Sequence, residues 1–163
     1  MVLAVQIFQI LTPIVIGIGF FFAWQQWSSM RRGRMAQLVM SLLEQWSSPQ
    51  MVQSRHSISL AGSNFKTAFE EAGNKNDIIF FGDYVSVMNF FDTLGVLVTE
   101  GYLDCAIAFD MLHKAEKYYY SLYESIITAT PELKGNIPYF IKLHELFIQE
   151  EAHRSTAKKR RAL

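Results

Sequence analysis

From Val2 to Trp24 a mostly apolar run carries no charged side chain. As a helix, these 23 residues would rise about 35 Å, enough to cross a hydrocarbon layer of roughly 30 Å. Beyond it the apolar period becomes helical and amphipathic. Met35, Leu38, Val39, Leu42, Leu43 and Trp46 fall on one side of a helix that continues the apolar run. Ser48 is placed to cap the next helix, with Pro49 in its first turn. Residues 51–60 and 64–73 read as two short helices separated by "AGSN". Asn76 or Asp77 is positioned to cap a long helix that is apolar around most of its surface, from Ile78 to Leu97, and Gly101 to close it. Such a helix belongs at the centre of a bundle, and Asp83, Asn89 and Asp92 argue against a membrane span there. Asp104 caps the next helix, "PELKGN" is a turn, and the last helix starts near Ile137 and runs into the basic tail.

The fold expected is therefore all-α. An N-terminal transmembrane helix, residues 1–30 with its interfacial end, continues into a cytoplasmic bundle of about four to five helices over residues 31–155. A basic tail occupies residues 156–163. A cleaved signal peptide would need a basic start and a small-residue cleavage site, and neither precedes or follows the apolar run.

Charge gives this arrangement a direction. Between Glu44 and Glu151 lie all fifteen acidic residues and seven basic ones, a net of −8. The remaining basic residues flank that body, with Arg31, Arg32 and Arg34 before it and Arg154, Lys158, Lys159, Arg160 and Arg161 after it. The arginines directly after the apolar run place its C-terminal side in the cytoplasm, and Trp24 and Trp27 sit where an interfacial aromatic belt is expected. The expected location is a bacterial inner membrane, single-pass, with the N-terminus outside. An acidic body is a poor match to nucleic acid, which is not expected as a partner. The Lys158, Lys159, Arg160 and Arg161 patch would suit anionic lipid head groups.

Within the apolar run Gln6, Gln9, Pro13 and Gly17 share one stripe. Such a stripe favours contact with another membrane helix, in a homo-oligomer or on a protein partner. The plain alternative is that glutamine near an end snorkels and proline is tolerated, and a pore lined by the glutamines is a further reading. In the body, Asp92 lies among apolar neighbours one turn from Asn89, so a buried partner is expected, Arg55 first and Arg154 next.

Catalytic patterns are scarce. No Gly-rich phosphate loop or G-x-S-x-G elbow occurs, and Cys105 is the one cysteine. Glu150 and His153 form a single E-x-x-H element, whereas a di-iron bundle needs two and further carboxylates. His113 and Glu116 have that spacing in reverse order. His56, His113 and His144 read as surface or core-edge residues, and the tyrosines of "KYYYSLY" as helix packing with hydroxyls at the rim. No cofactor, metal or catalytic residue is expected.

With the apolar span, the arginines, "SSPQMVQSR" and "VMNFFDTLGVLVTEGYLD" in view, the chain resembles a family of small bacterial single-span membrane proteins of unknown function. Asn89, Phe90, Phe91, Asp92, Gly101 and Asp104 carry that resemblance. It implies a helical cytoplasmic domain and a membrane location, and no catalytic residues. Similar single-span proteins serve as accessory or effector components of bacterial defence, some assembling in the membrane. The expected function is a non-enzymatic, membrane-anchored interaction or accessory protein. Its rival is an oligomeric membrane pore or effector.

Overall fold

In a computed structural model of the chain, the described residues are 24–26, 30, 33–75, 77–128 and 135–161. Residues 1–23 of the expected membrane helix, with the stripe of Gln6, Gln9, Pro13 and Gly17, lie outside them. Two units are distinguished, Met1–Met40 and Ser41–Leu163. In the first, the described residues are helical. Among the described residues no helix is long and apolar enough to cross a membrane.

Residues 33–47 are helical, and the part within the second unit, 41–47, is labelled α1. Five longer helices follow: α2 (Pro49–Ala61), α3 (Phe65–Lys75), α4 (Ile78–Thr99), α5 (Cys105–Ile127) and α6 (Pro138–Arg161). A 3₁₀ turn, Gly62–Asn64, joins α2 to α3. The described residues contain no strand, so the fold is all-α.

Local chemistry explains most of these boundaries. The Ser48 hydroxyl accepts from the Met51 N–H at 3.2 Å, and Pro49 begins α2 with an amide that needs no partner. Asp77 accepts from the Ile79 and Phe80 N–H groups, and Asp104 from Ala106. Beyond α4, Gly101 takes φ of 72°, a conformation that a side chain disfavours. That turn lets Leu103 donate back to the Leu97 carbonyl at 2.9 Å, a glycine C-cap arrangement.

Helix α4 touches α2, α3, α5 and α6, which makes it the hub of the unit. Its buried face carries Tyr84, Val87, Met88, Phe90, Phe91, Leu94 and Val98. Aromatic rings fill the space around it. Trp46 of α1 lies 4.8 Å from Phe90, and Phe91 stacks on Phe140 of α6 at 5.0 Å. The central helix is less enclosed than its composition suggests, because Ile78 and Ile79 in its first turn are each 75% exposed.

Helix α6 receives a capping contact from another helix. Its first turn is capped from α4, where Asp92 Oδ1 accepts from the Tyr139 and Phe140 N–H groups, each at 2.9 Å. The carboxylate thus meets the positive end of the helix dipole and satisfies two of its orphan donors. The expected partner of Asp92 is therefore corrected. No ion pair joins it to Arg55 or Arg154 among the described residues. Arg55 instead lies over the Trp46 ring at 4.2 Å, and its Nε donates to the Met51 carbonyl at 3.4 Å. Asn89, expected to share the buried polar cluster, is exposed.

One turn on, Gly95 is buried against the same backbone. A Cβ there would press into the Tyr139 carbonyl and lie 3.1 Å from the Tyr139 Cβ. Only glycine lets α4 and α6 approach this closely. Gly95→Ala is therefore expected to destabilise the domain by about 1–3 kcal/mol through overpacking. Asp92→Ala is expected to cost about 0.5–2 kcal/mol through the lost cap. Urea unfolding of the two variants checks both, and unchanged midpoints would contradict this account of the α4–α6 junction.

Candidate functional site

The least ordinary polar feature lies where α5 packs on α6. Leu112, Glu116, Tyr119 and Tyr123 follow one another at helical spacing along the buried face of α5. Three of the four suit a core. Glu116 is a carboxyl group in the midst of them, with 2% of its side chain exposed. Its Oε1 lies 2.8 Å from Nδ1 of His144 on α6. The other elements of the site orient that imidazole. Tyr120 stacks flat on it, with centroids 3.5 Å apart and planes 9° apart. Leu143 and Phe147 on either side of His144 in sequence are buried and anchor this stretch of α6.

Burial governs the protonation of the pair. It pushes the Glu116 carboxyl up to about 8, against a small opposing pull from Lys117. It also lowers the His144 imidazole, an effect that Glu124 and Glu145 partly offset and Lys117 reinforces. Each shift disfavours charge in the interior, and the hydrogen bond between the partners lets the two share a proton rather than part as ions.

A cavity of about 230 Å3 adjoins the pair. Phe109, His113 and Lys117 line it from α5, and His144, Phe147, Ile148 and Glu151 from α6. His113 is oriented as firmly as His144. Its Nδ1 lies 2.8 Å from the Phe109 carbonyl oxygen, and its ring stacks on Phe109 with centroids 4.4 Å apart. At the rim, Lys117 and Glu151 approach to 3.7 Å, both largely exposed. An exposed pair of this kind contributes little stability. Two oriented imidazoles facing an apolar hollow can exchange protons with a bound molecule or hydrogen-bond to it.

The residues singled out in the sequence fall mostly elsewhere. Glu150 accepts from Arg154 Nε at 2.6 Å, so the E-x-x-H carboxylate is already engaged, and His153 is exposed. Arg154 also bonds Asp110 and the Ala106 carbonyl, and it lies over the Phe109 ring at 4.8 Å. It thereby ties α6 to the start of α5. Among the described residues no group of three or more His, Cys, Asp and Glu side chains is placed to hold a metal ion. Of the tyrosine run, Tyr119 and Tyr123 are buried, Tyr120 is half-buried against His144 and Tyr118 is exposed. Trp24 and Arg34 are exposed in the first unit, while Trp27, Arg31 and Arg32 lie outside the described residues. Lys158 and Arg160 are exposed on the last turns of α6, which remains helical through Arg161 and so includes Lys159. The Glu116–His144 pair was not anticipated. The spacing of Glu116 with Leu112, Tyr119 and Tyr123 marks the carboxyl as buried, and nothing in that pattern names His144 as its partner.

A family model described as "Domain of unknown function (DUF4760)" matches residues 13–162. No curated protein and no solved structure matches the chain.

The pair makes stability depend on pH in a defined direction. Glu116 binds its proton more tightly folded than unfolded, so its contribution is whole below 4.5 and declines until about 8. His144 binds its proton less tightly when folded, so its contribution is lost as pH falls below 6.5. Between 4.5 and 6.5 the two trends oppose one another. From 6.5 to about 8 only the Glu116 loss remains, with a slope of up to about 1.4 kcal/mol per pH unit. Glu116→Gln keeps a hydrogen-bonding partner for His144 and removes the titration. Its unfolding free energy should therefore stay nearly level across that window. An equal decline in the variant, measured by urea titration at successive pH values, would assign the loss to other groups.

Proposed function

We propose that this chain, which belongs to the DUF4760 family, is a non-enzymatic, membrane-anchored interaction protein that self-associates or docks on a larger membrane complex. The observation that carries this reading is the uncharged run from Val2 to Trp24 followed closely by Arg31, Arg32 and Arg34. A run of that length and composition fits the bilayer as a helix, and the arginines orient it with the body in the cytoplasm. The membrane is then a bacterial inner membrane, with the N-terminus outside. Gln6, Gln9, Pro13 and Gly17 supply a stripe suited to helix–helix contact.

Features of the body support docking by protein. Leu60 in the last turn of α2 is 76% exposed, and Ile78 and Ile79 begin α4 at 75% each. Large apolar side chains so open to water suit a protein partner when they gather in a patch. Lys158 and Arg160 would add about 1 kcal/mol each near an anionic leaflet. The second reading, an oligomeric pore or effector of the kind found in bacterial defence, rests on Gln6 and Gln9, which would face water in an assembled channel.

Cys105, the one cysteine and partly exposed, provides a direct test. Burial, with help from Glu150 and Asp104, holds its thiol above the usual range, so labelling is best run at about pH 8.5. A membrane-impermeant maleimide should label Cys105 only after cells are opened. The full-length chain should sediment with membranes, resist carbonate extraction and elute in detergent at a multiple of its 18.8 kDa mass or with a partner. A water-soluble monomer, or labelling of intact cells, would overturn the reading. Dye release from vesicles that is lost in the Gln6→Leu, Gln9→Leu variant would favour the pore.

A further inference from the structure

The cavity between α5 and α6 has a polarity that the two imidazoles set independently of each other. On His113 the ring nitrogen at 2.8 Å from the Phe109 carbonyl must be the one that carries hydrogen, since a carbonyl oxygen only accepts. In the neutral ring that leaves Nε2 as a bare acceptor. On His144 the opposite holds. While the Glu116–His144 pair retains its shared proton, that proton lies between the carboxyl and Nδ1. Whether it sits on the carboxyl or on the ring, Nε2 keeps an N–H of its own. The two rings that line the cavity thus carry one Nε2 donor and one Nε2 acceptor, on two different helices.

The remaining surfaces of both rings narrow the choice of ligand. One face of His113 is covered by Phe109 and one face of His144 by Tyr120. The Nδ1 edges are also taken, which leaves the opposite faces and the Nε2 edges to meet a ligand. Phe109 and Phe147, packed edge to face at 5.4 Å, add apolar aromatic surface. Lys117 and Glu151 at the rim offset each other's charge, so no net charge calls for an ion. The volume of about 230 Å3 exceeds the roughly 150 Å3 of a cavity that holds benzene, and it falls short of the pockets that take drug-sized molecules.

We infer that this cavity binds a neutral, single-ring aromatic molecule that carries both a hydrogen-bond acceptor and a donor, as a carboxamide does. The ring would lie against Phe147, Ile148 and the edge of Phe109, its acceptor meeting His144 Nε2–H and its donor meeting His113 Nε2. This site is independent of the membrane anchor and of what the body docks on.

Benzamide is a suitable probe. The full-length chain in detergent micelles, with its histidines labelled with nitrogen-15, would be titrated near pH 7. The ring signals of His113 and His144 should shift together and saturate, while those of His56 and His153 stay in place. Toluene, which offers the ring without the amide, should bind at least about tenfold more weakly, the scale of one or two lost hydrogen bonds. His113→Phe and His144→Phe should each weaken benzamide by a similar factor, with the helical circular dichroism unchanged. The inference is overturned if benzamide leaves both rings unmoved or if toluene binds as well. It is equally overturned if zinc ions shift the two histidines at micromolar concentration and benzamide does not, which would assign the pair to a metal.

Discussion

A single carboxylate holds the start of the last helix. Asp92 on α4 accepts two backbone N–H groups from the first turn of α6, and Gly95 beside it lets the Tyr139 backbone come close. The two residues do different work at one junction. The aspartate supplies the polar complement that a helix start requires, and the glycine removes the side chain that would keep the helices apart. With α6 seated there, Phe140 reaches the face of Phe91, and His144 and Phe147 are carried along the helix to meet α5. The cavity and its imidazoles therefore inherit their placement from a contact on the other side of α6.

That dependence explains how much was legible beforehand. Helix content and the local caps at Ser48, Asp77 and Asp104 were readable because the partners of each cap lie two or three residues away. The central position of α4 was readable from its apolar composition. The role of Asp92 was not, because its partners are 47 and 48 residues distant and are backbone groups, which every residue except proline offers. Arginine was the reasonable expectation for a carboxylate among apolar neighbours, yet Arg55 and Arg154 are engaged with Trp46 and with Asp110 and Glu150.

The candidate site divides in the same way. The position of Glu116 on the buried face of α5 follows from spacing alone. The choice of His144 as its partner depends on how α6 lies along α5, which the spacing within either helix does not contain. The buried pair also carries a cost that an apolar core would avoid, since removing a carboxyl group from water disfavours its charge. The pair therefore lies beside the aromatic cavity without being an evident source of stability.

The bond from Asp92 to Tyr139 also spans α5 in its entirety. Bringing together groups 47 residues apart carries a loop-closure entropy whose length-dependent part is about 3 kcal/mol. Repayment arrives only when the aromatic contacts beneath are in place. Seating of α6 should consequently be a late event in folding, after α2, α3 and α4 have gathered through shorter-range contacts. On a ribosome the same ordering would leave the emerging domain with an open flank until its final helix cleared the exit tunnel.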